Sequence, residues 1–113
     1  MQEELFLMAV GKALSYWSAC CDLQFERTME PQQAQIILCQ ARPYPPGQAL
    51  GYMCSKARVW PVSIVFHATK NWVIAKNPAP GEFDAVRVIA HEVGHALLGE
   101  HHLADGNLMS CGY

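Results

Sequence analysis

The sequence predicts an α+β fold, a small mixed sheet of about four strands with an N-terminal helix and a second long helix packed on it. Three observations predict it. Apolar residues between Leu5 and Cys20 recur at helical spacing. Four short apolar or alternating runs, Leu23–Thr28, Ala34–Ala41, Ala49–Met53 and Val62–Ala68, are separated by turn-forming segments. A longer periodic stretch follows Asp84. With 113 residues and no internal repeat or low-complexity segment, one domain over residues 1–113 is expected.

The first helix places Leu5, Met8, Ala9, Ala13, Tyr16, Trp17 and Cys20 on one face, with Glu3 and Glu4 at the positive end of its dipole. The adjacent aromatics Tyr16 and Trp17 read as core packing. Leu23–Thr28 alternates, with Leu23 and Phe25 on one face of a short strand. Ala34–Ala41 is continuously apolar, as in an inner strand. Arg42–Gly47, RPYPPG, is a proline-rich loop barred from a sheet interior. Ala49–Met53 is a glycine-interrupted strand suited to an edge, and β-branched Val62–Ala68 is another inner strand. After a rigid loop, Lys76–Gly81, Asp84 stands as N-cap of the last helix, whose buried side is Val86, Ile89, Ala90, Val93 and Leu97.

Composition sets the boundaries of function. Hydrophobic residues make up 51% and charged residues 16%, the balance of a folded globular protein. A net charge of −2, with eight basic and ten acidic side chains dispersed along the chain, provides no basic stripe for nucleic acid. No apolar run is long enough to span a bilayer. The opening residues are acidic where a secretory leader carries positive charge, so no leader is read in them, and secretion is compatible only with a processed form. Five cysteines, an odd number, leave reduced thiols and a disulfide equally open, and with them the compartment. Oligomeric state has no signature in the sequence.

The chemistry is concentrated in HEVGHALLGEHHLADGNLMSCGY, residues 91–113. His91 and His95 are four residues apart, so on a helix their rings rise from one face and can grip a single tetrahedral metal ion. Glu92 leans over the same face as a general base beside the metal, the arrangement of zinc hydrolases. His101 offers a third nitrogen just beyond Gly99. Three neutral imidazoles leave Zn²⁺ one open position, where water is acidified toward a pKa of about 7.

These residues resemble the metzincin zinc peptidase signature, HExxHxxGxxH followed by a Met-turn. His91, Glu92, His95 and His101 fall on it without a gap, and Met109 falls on the Met-turn methionine, a hydrophobic floor rather than a ligand. The signature glycine would stand at Leu98, but the chain reads Leu98-Gly99. Leucine resists the positive φ that breaks such a helix and glycine accepts it, so one extra helical residue and a turn at Gly99 are expected. His101 keeps the spacing of the third ligand, with its neighbour His102 as the alternative. Weaker likenesses to the matrixin-like branch extend over most of the chain, in ALSYWSACCDLQFERT, AQIIL, ALGYM and IVFHATKNWV.

The resemblance implies a minimal metzincin-like catalytic domain lacking the usual first strand and C-terminal helix. It implies a zinc-dependent endopeptidase acting on peptide or protein substrates, with an extended peptide pairing along the Ala49–Met53 edge. The alternative is a zinc-bearing binding or regulatory module of the same fold without turnover. His67 stands where matrixins carry an aspartate and reads as an ordinary strand-end histidine. The loops are poor in carboxylates, so no structural calcium is expected.

Overall fold

The computed structural model describes residues 1–42, 44, 50–54, 56 and 59–99. Helix α1 spans Glu3–Cys21 and ends at Asp22, whose left-handed φ of 53° suits a short polar side chain. A 3-10 turn at Pro31–Gln33 leads into strand β1, Ile36–Ala41. Strands β2, Gly51–Met53, and β3, Val62–His67, complete a mixed three-stranded sheet in the order β1-β3-β2. β1 runs parallel to β3 with Ile36 opposite Val62, and β2 runs antiparallel with Gly51 opposite Phe66. Two short strands, β4 at Trp72–Val73 and β5 at Phe83–Asp84, pair in parallel as a separate ribbon that feeds helix α2, Ala85–Leu98.

The core lies between the helices and one face of the sheet. β3 turns Val62, Ile64 and Phe66 inward, and Ile89 and Val93 of α2 meet them from the other side. From α1, Ala9 and Ala13 contribute small buried surfaces that permit the two helices to approach closely. Trp17, one turn further on, donates its indole N–H to the main-chain carbonyl of Ala90 at 2.8 Å, a buried bond spanning 73 residues of sequence. Asp84 caps α2 as expected, accepting from the Val86 amide at 3.1 Å. The extra helical residue is present too: α2 runs through Leu98, and Gly99 takes φ 91°.

The α+β class and its pair of helices are as the sequence predicts, but four details differ. Leu23–Thr28 is not a strand. Its alternation is real, with Leu23 and Phe25 half-buried and their neighbours exposed, yet no ladder partner lies alongside among the described residues. Among the described residues β1 is paired on one side only, at an edge rather than inside the sheet, because an apolar run reports what covers its faces and says nothing of how many neighbours pair with it. On α1, Leu5, Ala9, Ala13 and Trp17 of the expected face do lie against the core, but Met8, Tyr16 and Cys20 are exposed, and Phe6, Val10 and Leu14 pack on the core beside the stripe. The ribbon of β4 and β5 is too short for any periodicity to announce it.

Replacing Trp17 by Phe keeps most of the buried ring and deletes the donor to Ala90. Because that carbonyl retains its helical partner, the expected loss is roughly 1 kcal/mol. It should appear as a lower urea midpoint at unchanged slope. An unchanged midpoint would show that the bond contributes nothing net.

Candidate metal centre

α2 lies between α1 and the sheet, so its middle turns are buried all round. The helix nevertheless carries His91, 1% exposed, and Glu92, 4% exposed, into that interior. His95 follows one turn later and is partly exposed. The Nε2 atoms of His91 and His95 stand 3.2 Å apart, with ring centroids at 4.8 Å and planes at 80°. Together with a carboxylate oxygen of Glu92, these ligand-type atoms all lie within 4.8 Å of one another. Among the described residues they form the one such group of three or more.

The tautomer of His95 follows from its second nitrogen. Nδ1 lies 3.2 Å from the carbonyl oxygen of Gly99, which only accepts, so Nδ1 carries the proton and donates. Nε2 is then left with a lone pair directed at His91. A second lone pair facing it at 3.2 Å would be repulsive unless a proton or a cation lay between. Two nitrogen ligands at about 2.05 Å from a tetrahedral zinc stand about 3.3 Å apart, so the spacing fits such an ion. The donor set is therefore suited to zinc.

Glu92 has a different problem. Burial pushes its carboxyl up to about 8, because the surrounding apolar groups disfavour the charge. A cation beside it would act in the opposite sense. Its carbon stem is crowded by β2: a Cβ placed on Gly51 would fall 3.0 Å from Glu92 Cγ. Tyr44 also lies within the electrostatic reach of Glu92. The phenol of Tyr44 is pushed up to about 12, chiefly by burial and then by Tyr52, Glu92 and Cys54. Its ring leans on His67 at 4.5 Å and on Tyr52 at 5.6 Å.

Of the four residues singled out in the sequence, the structure thus brings together His91, Glu92 and His95. His101, its alternative His102, and Met109 lie outside the described residues, as does Cys111. His67 is held at the end of β3, where its Nδ1 accepts from the Thr69 amide at 3.1 Å, in keeping with a structural role. Cys20, Cys21, Cys39 and Cys54 are free thiols. Sequence reasoning assigned no function to Tyr44, Gly51 or the Gly99 carbonyl. For Gly51 a signal existed, since glycine inside a strand marks close approach of another group. The carbonyl of Gly99 and the placement of Tyr44 depend on contacts that no residue type announces.

The comparisons with known proteins agree with this geometry. Metalloendoproteinase 1 of Glycine max is 30% identical over 115 aligned residues, covering 91% of this chain and 36% of that protein. The chain therefore spans little more than a third of the length of the curated relative it matches. The family model described as Matrixin matches residues 1–113, from one end of the sequence to the other. With that match, and a helix that sets two imidazoles and a carboxyl within reach of one ion, the chain belongs to the matrixin family of metallopeptidases.

Proposed function

We propose that this chain is a zinc-dependent endopeptidase in which His91, His95 and His101 hold the metal and Glu92 is the general base. The observation that carries the reading is the imidazole pair, one ring buried and one partly exposed, with Nε2 atoms 3.2 Å apart and the Glu92 carboxylate beside it. A purely structural zinc has no use for a carboxylate that burial makes so costly to ionise. When bound, zinc supplies Lewis acidity, acidifying water and polarising a carbonyl. His91 and His95 present lone pairs to it, and the Gly99 carbonyl keeps the second ring turned correctly. The assignment of His101 rests on the signature spacing.

Glu92 accepts a proton from the water that attacks the peptide carbonyl carbon. As the C–N bond breaks, the same carboxyl returns the proton to the departing amine nitrogen. Its burial excludes competing water and strengthens each electrostatic contact in the site. Among the described residues β2 is paired on one side only, so its outer edge offers main-chain groups to an extended peptide. The Metalloendoproteinase name of the Glycine max relative supports this choice of substrate class.

Zinc-loaded protein should cleave an unfolded protein substrate, and a chelator should abolish the cleavage. Glu92→Gln should retain zinc while kcat falls about 10²- to 10⁴-fold. Zinc retention without cleavage by the wild-type chain would favour a metal-bearing binding module instead. His101→Ala should lose zinc and His102→Ala keep it; the reverse pattern would exchange their roles. Gly99→Ala forces an L side chain to φ 91° and shifts the carbonyl that orients His95. Zinc affinity should fall about 10-fold in competition with a chromophoric chelator. Unchanged affinity would show that this carbonyl does not govern the ring.

A further inference from the structure

We propose that Gly51 is a positioning residue for Glu92: the missing side chain lets edge strand β2 close on the glutamate's stem, and that contact sets where the carboxylate stands. The inference rests on the reading of Glu92 as general base. A Cβ at residue 51 would meet Phe66 Cδ1 at 2.9 Å, Phe66 Cε1 at 3.0 Å and Glu92 Cγ at 3.0 Å. Such distances require something to move.

The strand has little freedom to retreat. On one side of Gly51 the His67 amide donates to the Leu50 carbonyl at 3.0 Å, and on the other the Cys54 amide donates to the Ser63 carbonyl at 2.8 Å. Phe66 is fully buried, and Phe6 of α1 packs edge-on against its ring with centroids 6.0 Å apart. Movement of that ring would disturb the contact between α1 and the sheet. Glu92 is the softer neighbour, because its unbranched stem can change rotamer without displacing the backbone. A methyl group at residue 51 therefore drives the carboxylate from its place, while neither imidazole is among its three nearest neighbours.

The test compares wild type with Gly51→Ala, with Gly11→Ala as a control whose added Cβ meets nothing within 4 Å. In protein labelled with ¹³C at glutamate carboxyl carbons, the Glu92 resonance is the one missing from Glu92→Gln. It is expected to shift in Gly51→Ala, with and without zinc, and to stay in place in Gly11→Ala. Zinc affinity should be unchanged and KM near wild type, while kcat falls about 10- to 100-fold. Gly51→Ala combined with Phe66→Leu, compared with Phe66→Leu alone, removes the ring contact and isolates the one to Glu92, and supplies a folded protein where the single variant does not. A displaced resonance in this pair supports the proposal. An undisplaced resonance with wild-type kcat overturns it, as does a loss confined to KM, which would assign Gly51 to substrate pairing. Should the wild-type chain bind zinc and hydrolyse nothing, the endopeptidase reading fails and the carboxyl resonance alone decides the role of Gly51.

Discussion

An imidazole and a carboxyl in adjacent positions, His91 and Glu92, are buried in the middle of a helix whose other buried residues are alanine, valine, isoleucine and glycine. Polar groups so placed are costly unless each finds a partner, and an ionised one is costlier still. Much of the described structure can be understood from that constraint. α1 covers one side of α2, and the indole of Trp17 fixes the main chain at Ala90, the residue just before the first imidazole. The sheet covers the other side through Phe66 and Gly51. Between them His91, Glu92 and His95 have one another as neighbours, and the chemistry of three such groups is that of a cation site. The burial that destabilises the glutamate's charge also makes it responsive to whatever occupies that site.

The motif was readable because its logic is local. Spacing of four on a helix places His91 and His95 together whatever the rest of the chain does, and Asp84 and Gly99 mark both ends of that helix. What surrounds the motif was not readable in this way. That Gly51 stands against Glu92 is the product of strand order and register, with Gly51 opposite Phe66 across the ladder. Tyr44 reaches the same region from a segment whose prolines announce only that it is not a strand. Residue types predicted which side chains of α2 would come together, and tertiary geometry was needed to find what packs against them.

The fold shows the same division. β3 and α2 could be read because period, length and residue type agree within each. Leu23–Thr28 was misread because alternation records which side chains are shielded from water: Leu23 and Phe25 are half-buried, Phe25 against the core, with no ladder partner among the described residues. A strand is a relation between two segments, and one segment's sequence contains half of it. On α1 the expected face was drawn too wide. It held Ala9, Ala13 and Trp17, which are buried, but also Met8, Tyr16 and Cys20 along one flank, which are exposed. The contact with α2 runs through the alanines, whose small side chains let two helices cross closely.

The end of α2 joins these two levels. In the signature the chain resembles, glycine breaks the helix at the residue occupied here by Leu98, and the helix accordingly continues by one residue. Gly99 then does two things at once. Its amide donates to the His95 carbonyl at 3.0 Å, closing the last turn, and its carbonyl accepts from His95 Nδ1 at 3.2 Å. Both main-chain polar groups of one residue are thus directed to one histidine. A glycine one position earlier would close its last turn on Gly94, which has no side chain to orient. The displacement of the break by one residue is therefore not a neutral variation: it makes the helix terminus itself the partner that holds the second imidazole's proton on Nδ1, away from His91.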